Sequence, residues 1–487
     1  MEDRKLNAIF LPHFAPSHII PIVDVGRLFA GRGVTVTIVT TPNNALLFRD
    51  SVNHDAALGR NILIHIIKLP SAHVGLPEGI ENFSQCTTPE LLEKLYNAVA
   101  LLQKPYEKFI RDSRPDCIIS DMFFPWSVDL ADELQVPRVI FYPSNNFFHS
   151  VSHSLRLYAP HQEIQSDSED FLIPGLPDEI RMARSELQDH VKAKTMYGVL
   201  INLIKQTESR SYGIILNTCH DIEPAYSDHF KKVSGRKCWN LGPLSLFADR
   251  NNVGKENNSS TEEKHSCLSW LDTQKPNSVL YVCFGSMAHF SDAQLTQMAL
   301  AFEASGHPFV WVVRRKEKSE ENQKESWLPE GYEERMLRDN RGLIIMGWAP
   351  QVQILDHQAV GGFLSHSGWN SLIEGFTAGL PLISWPLFAE HFYNSKLLTQ
   401  VLKIGVEIGP RVWNSGIEIK SPLVGKDEFT KAITFLMGGS PEAVEMWRRA
   451  EEIGIKAKRA TEEGGCSYCD LTALIDDLKA CAVDARI

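Results

Sequence analysis

The chain has 487 residues, 43% hydrophobic and 22% charged, with 49 basic and 60 acidic side chains giving a formal net charge of −11. That length exceeds the roughly 250–300 residues a single core serves, so two or more domains are expected. The acidic balance argues against a nucleic-acid or anionic-membrane partner, and no apolar run approaches the ~20 residues of a membrane-spanning helix. The opening residues, Met1-Glu-Asp-Arg-Lys-Leu-Asn, lack the basic-then-apolar layout of a signal peptide, so a soluble, cytoplasmic protein is expected.

Ile9-Phe-Leu-Pro12 reads as a first strand. From His18 to Ala30 the apolar residues Ile19, Ile22, Val23, Leu28 and Phe29 fall at helical spacing, and Gly31-Arg-Gly33 ends that helix. Val34-Thr-Val-Thr-Ile-Val-Thr40 is then β-branched throughout, as a buried strand should be. Similar runs follow at 62–69, 117–120, 139–142 and 213–216, separated by helical patterns near 91–110, 128–134 and 222–232. Strands without polar alternation, divided by helices, predict a parallel sheet covered on both faces. Two histidines, His13 and His18, lie in or beside the first strand-to-helix loop, and Asp121 ends the strand Cys117-Ile-Ile-Ser-Asp121. A histidine backed by a carboxylate suits proton abstraction from a weak nucleophile, because the acid fixes the ring tautomer and stabilises the imidazolium. The residues leave the choice between His13 and His18 open, and Asp121 equally suits a helix cap before Pro125-Trp126.

Between residues 246 and 266 the pattern gives way to a polar stretch, Asp249-Arg-Asn-Asn-Val-Gly-Lys-Glu-Asn-Asn-Ser-Ser, expected to be a linker. A second strand-helix series follows, with strands at 279–284, 309–313, 343–346, 362–365 and 382–385 and a polar surface loop at 316–326. The expected division is therefore 1–245, a linker at 246–266, a second domain at 267–465, and a terminal helix at 466–487. In such doubly wound sheets, ligands collect outside the C-terminal strand ends. The nine cysteines are an odd number scattered along the chain, and the single pair Cys466 and Cys469 lacks a second Cys or His pair to complete a zinc site.

The densest chemistry lies between Trp348 and His391. Gly361-Gly-Phe-Leu-Ser365 is a strand that ends in His366-Ser-Gly-Trp-Asn-Ser371, and a helix continues from Leu372. Such a turn gathers unpaired backbone N–H groups and a helix N-terminus, which favour a diphosphate. His366, Asn370 and Ser371 add side-chain donors, with Ser286 in Phe284-Gly-Ser-Met287 as a further one. Glu374, four residues past Asn370 on the same helical face, can accept from ribose hydroxyls. No G-x-G-x-x-G fingerprint of a dinucleotide enzyme is present. Taken singly, each of these pieces also suits an ordinary loop or a core residue.

Over Trp348–His391 the chain resembles the signature box of the plant uridine-diphosphate-sugar glycosyltransferases, and the similarity extends through the His18 region, Ser120-Asp-Met-Phe-Phe-Pro-Trp126 and Leu241-Gly-Pro243. The resemblance implies the α/β GT-B architecture, two doubly wound Rossmann-like domains facing a cleft, with the last helix packing back on the first. It implies a role for each matching position. Trp348 would stack on uracil while the Ala349 backbone bonds the base edge; Gln351 and Glu374 would hold the ribose. His366, Asn370, Ser371 and Ser286 would hold the phosphates in the turn containing Gly368, and Trp369, Glu390 and His391 would face the sugar. His18 would be the base and Asp121 its charge partner. Three positions depart from the family: Ser17 stands where Gly commonly precedes the base, Ser367 replaces Cys, and His391 replaces the Gln of most glucosyl-transferring members. The last leaves UDP-glucose, UDP-galactose or a UDP-pentose open as donor.

The reaction so implied is an inverting transfer needing no metal and no cofactor beyond the UDP-sugar co-substrate; the chain contains no Asp-x-Asp triplet. Phe14, Met122, Phe123, Phe124 and Phe147 are the candidates for lining an acceptor pocket, and such rings suit an apolar, ring-rich molecule. The first half of the chain is similar to the clade acting on triterpenoid or steroidal saponin precursors and flavonoids, with triterpenoid or steroid favoured, and a monomer is expected. Two rivals are a nucleotide-sugar-binding protein without chemistry, which would need no base, and a glycosidase or phosphorylase of related fold, in which Trp348 would be idle.

Overall fold

The computed structural model describes residues 5–247, 261–314, 327–415, 419 and 421–484. Most of the expected linker at 246–266 and all of the polar loop at 316–326 lie outside the described residues. The chain divides into two compact units: Met1–Asn146, Thr195–Val253 and Lys458–Ile487 form the first, Phe147–Lys194 and Gly254–Ala457 the second.

The first unit is built on seven parallel strands: β1 (Asn7–Leu11), β2 (Thr35–Thr40), β3 (Ile62–Ile66), β4 (Cys117–Asp121), β5 (Arg138–Tyr142), β6 (Gly213–Leu216) and β7 (Lys237–Asn240). Their order across the sheet is 3-2-1-4-5-6-7. Every residue of β4 and β5 is buried, which is why these segments read as continuous apolar runs rather than alternating ones. Helix α1 (Pro16–Gly31) follows β1 directly, with Pro16 in its first turn where the missing N–H costs nothing. It packs Ile19, Ile22, Val23 and Phe29 onto Phe10, Val36 and Ile38 of the sheet.

The second unit carries six parallel strands: β8 (Val279–Cys283), β9 (Phe309–Val313), β10 (Gly342–Met346), β11 (Val360–Ser365), β12 (Leu382–Ser384) and β13 (Gly405–Glu407), ordered 10-9-8-11-12-13. Helix α2 (Trp369–Thr377) follows β11, and α3 (His391–Lys396) follows β12. The segment Phe147–Lys194 joins this unit rather than the one that precedes it in sequence. A fully buried carboxylate explains the attachment. Glu186 accepts hydrogen bonds from Lys396 Nζ at 2.7 Å, Arg411 Nε at 2.8 Å and its own neighbour Ala183 N at 2.7 Å. Arg411 also pairs with Asp170, and Lys396 with Glu407.

The last helix, α4 (Cys466–Asp484), returns to the first unit. Leu471, Leu474, Ile475 and Leu478 are buried in the same cluster as Phe10, Phe29 and Trp239. Asp470 accepts from Asn240 N at 2.7 Å and Asp477 pairs with Lys237 at 2.6 Å, fixing α4 along β7. All nine cysteines are free thiols.

In both sheets the connection reverses direction beside the first strand, between β1 and β4 and between β8 and β11. Those crossover points are where open α/β sheets bind ligands. The registers are matched as well: Leu11 pairs with Ser120, and Cys283 with Ser365. Asp121 and His366 thus occupy equivalent places, each one residue past the last partner of the neighbouring strand.

Candidate active site

In the first unit the β1–α1 loop and the end of β4 bring one histidine onto one carboxylate. His18 Nδ1 lies 2.8 Å from Asp121 Oδ2. Asp121 is completely buried while the His18 side chain keeps 18% of its surface exposed. The other carboxylate oxygen accepts the backbone N–H of Phe123 at 3.0 Å, which fixes the acid's orientation. An ionised carboxylate only accepts, so Nδ1 must be the protonated nitrogen of His18 and Nε2 keeps its lone pair.

The rival His13 has a different setting. Its ring stacks on Phe83 at 4.8 Å, tilts against Phe123 at 4.4 Å and meets His18 edge-on at 5.3 Å. Burial drives its pKa down to about 3, outweighing the attraction of Asp121, so this ring is neutral at working pH. Such a group is too weakly basic for proton abstraction, which leaves His18 the better-suited candidate of the two.

In the second unit the β11–α2 turn is shaped around His366. A Cβ added at Gly368 would come within 2.5 Å of the His366 Nε2, and one at Gly285 within 2.7 Å, so both glycines yield their volume to the imidazole. Ser367 takes a left-handed φ of 65°; its carbonyl accepts from Asn394 Nδ2 at 3.0 Å, and its hydroxyl meets that of Ser384 at 2.5 Å. Strain held in place by such bonding is a mark of functional turns. Burial lowers the pKa of His366 to about 4 and that of His391 well below its usual value, the two rings meeting edge-to-face at 4.7 Å. Both are therefore neutral, and His366 would meet a phosphate as an N–H donor rather than a cation.

Gln351 and Glu374 are joined: Gln351 Nε2 donates to Glu374 Oε2 at 2.8 Å and to Ser371 Oγ at 3.3 Å, while Tyr281 OH donates to Gln351 Oε1 at 3.3 Å. Trp348 stands at the end of this group with 56% of its surface open, next to the buried Ala349. An indole so exposed presents a flat apolar face to solvent. Ser286 is half-buried in the turn following β8, and Asn370 is half-buried in the first turn of α2.

Several side chains sit otherwise than the sequence suggests. The Trp369 ring is only 2% exposed and packs edge-on against Phe376, so its indole is packed beneath α2 rather than open to solvent. His391 is buried too, its Nδ1 accepting from Phe388 N at 3.3 Å. Glu390, half-buried, accepts from Asn394 at 3.4 Å. Of the acceptor candidates, Phe14 and Phe124 are core residues of the cluster under β1 and β4, and Phe147 is fully buried. Their rings fill space between elements and leave no surface for a small molecule. Met122 and Phe123 keep partial exposure, and Phe123 lies 5.4 Å from the His18 ring. The structure adds Tyr281, Asn394 and Gly285, which the sequence reading passed over. For Asn394 the available signal was its i, i+4 spacing from Glu390; for Gly285, its place at a strand end.

Comparison with known proteins bears on both halves. The family model described as UDP-glucoronosyl and UDP-glucosyl transferase matches residues 87–407. Solanidine UDP-glucose glucosyltransferase 1 of Solanum tuberosum is 46% identical, covering 97% of each chain. Soyasapogenol B glucuronide galactosyltransferase of Glycine max is 44% identical over 98% of this chain and 97% of its own. Among solved structures, Glycyrrhiza uralensis UGT73P12 complexed with glycyrrhetinic acid 3-O-monoglucuronide superposes with a TM-score of 0.91 at 40% identity, over 99% of this chain and 97% of that one.

Proposed function

The chain belongs to the UDP-glucoronosyl and UDP-glucosyl transferase family and is a UDP-glycosyltransferase of GT-B fold, and from that premise we propose that it transfers a hexose or pentose, with inversion, to a hydroxyl of a triterpenoid or steroidal acceptor. The observation that carries the reading is the 2.8 Å contact between His18 and a fully buried Asp121. A binding protein without chemistry would have no use for a histidine held against a buried carboxylate.

In the proposed reaction His18 Nε2 accepts the proton of the acceptor hydroxyl as the oxygen attacks the anomeric carbon. The bond to the UDP oxygen breaks on the opposite side, which inverts the configuration. Asp121 stabilises the imidazolium without itself taking the proton. The leaving diphosphate is met by the N-terminus of α2 and by donors from His366, Asn370, Ser371 and Ser286. Trp348 and Ala349 take the uracil, Gln351 and Glu374 the ribose. The Gln351–Glu374 hydrogen bond supports this pairing, because it fixes the accepting Glu374 carboxylate beside the Gln351 side chain. Uridine diphosphate thus leaves as a stabilised anion, and no second carboxylate is needed of the kind glycosidases use.

The relatives named above pair this fold with solanidine and UDP-glucose in one case and with soyasapogenol B glucuronide and galactose in another. Those names favour a polycyclic acceptor and leave glucose, galactose or a pentose for the donor panel to separate. His18→Ala is expected to lower turnover by about 10²–10⁴-fold while calorimetric UDP affinity stays at the wild-type value. Turnover within a few-fold of wild type would remove His18 from the role. Scoring UDP-glucose, UDP-galactose, UDP-arabinose and UDP-glucuronate against triterpenoid, steroid and flavonoid pools then assigns donor and acceptor.

A further inference from the structure

One buried group next to the proposed base is unused by the transfer chemistry. His13 Nδ1 is shut off from solvent and has no hydrogen-bond partner among the described residues. An orphaned buried nitrogen in a well-packed site calls for an explanation, and an absent ion is one. Ligand atoms of His13, His18 and Asp121 all lie within 4.8 Å of one another. Two imidazoles and a carboxylate are a zinc-type donor set, and ligands at ~2.0–2.2 Å from a tetrahedral ion sit about 3.4 Å apart. His18 Nδ1 and Asp121 Oδ2 are already 2.8 Å apart, so a modest opening of that pair would admit an ion.

We infer that His13, His18 and Asp121 form an inhibitory site for a divalent transition-metal ion of the zinc class. The inference rests on the reading of His18 as the base. The ion takes the position of the proton now lying between His18 and Asp121, bonding to Nδ1, the carboxylate and a nitrogen of His13. A neutral imidazole carries one proton, so the displaced one moves to Nε2 of the same ring. That removes the lone pair the acceptor hydroxyl needs, with no net proton released and no change in oxidation state. His13 suits the part because its burial keeps the ring uncharged, leaving a lone pair to give. It is a metal ligand in this scheme and takes no part in transfer.

The test uses the full chain with zinc and cobalt(II) salts as probes, and His13→Leu and His13→Phe as variants, the second keeping a ring against Phe83. Loss of an outer partner of a metal ligand already costs ~10–100-fold in affinity, so loss of a ligand should cost at least about tenfold. Wild type should bind one cobalt ion with visible absorption bands of histidine ligation and be inhibited by zinc. Whichever His13 variant retains the wild-type unfolding temperature should show both effects displaced to at least about tenfold higher metal concentration, with transfer in chelator retained. Equal zinc sensitivity in wild type and variant, or no cobalt uptake by wild type, overturns the site. His18→Ala separates the two readings. If it loses cobalt affinity yet still transfers sugar, the metal site stands and the base assignment falls; if it loses transfer yet binds cobalt like wild type, the reverse holds.

Discussion

Gly285 and Gly368 approach the Nε2 side of His366 so closely that a methyl group on either would overlap the ring, at 2.7 and 2.5 Å respectively. Gly368→Ala is therefore expected to push the imidazole off its position and weaken UDP binding about tenfold, or ~1.4 kcal/mol, in a calorimetric titration. An unchanged dissociation constant would show that His366 does not touch the diphosphate. At Gly285 the same change adds backbone strain, since φ is +73° there. At this scale the sequence was informative about which residues carry chemistry. Strand ends brought His13, His18 and Asp121 to one sheet edge, while the choice of His18 and the grouping of Gln351 with Glu374 came from the family resemblance; in the structure both pairs are in contact. The sequence was silent on where rings point. Trp369 lies inside a motif rich in polar groups and yet turns inward onto Phe376, and Phe14, Phe124 and Phe147 fill the interior. An aromatic residue next to a functional motif reads the same whether it packs below the loop or lines its mouth.

Among the elements, the parallel strands were legible since full burial removes the polar alternation of half-exposed strands. The attachment of Phe147–Lys194 was not, because it depends on Glu186 meeting Lys396 and Arg411, more than 200 positions away. An ion pair leaves no local signature in a sequence. Burial alone would raise the Glu186 pKa, but the Arg411 and Lys396 bonds outweigh it and the folded value lies below the usual 4.5. A depressed carboxylate contributes stability that is complete above the unfolded value and is lost as pH falls through the folded one. Chemical denaturation of wild type should therefore weaken more steeply below pH 4.5 than that of Glu186→Gln, which has nothing to titrate at this position. Parallel curves for the two proteins would mean that the buried cluster does not govern acid sensitivity.

For the whole molecule, each compact unit is assembled from separated stretches, three for the first and two for the second. A single boundary near residue 246 could not reveal this, since composition marks where the chain turns polar and not where it returns. The returning α4 supplies apolar side chains to a core begun nearly 470 residues earlier. Leu474 is fully buried there, and Leu474→Ala is expected to cost 2–5 kcal/mol, read as a lowered unfolding midpoint. A midpoint matching wild type would make the helix an ornament on the first unit.

That closure has a consequence for the order of events during synthesis. A ribosome makes β1 through β5 before any strand of the second unit, and domains commonly fold as they emerge. Here Phe10, Phe29 and Trp239 wait for Leu471, Leu474, Ile475 and Leu478, which are made only after the whole of the second unit. The nascent first half therefore carries an uncovered greasy face until α4 has been made. Premature stops upstream of residue 466 should accordingly yield insoluble chains, even though every proposed catalytic and donor-binding residue has already been made.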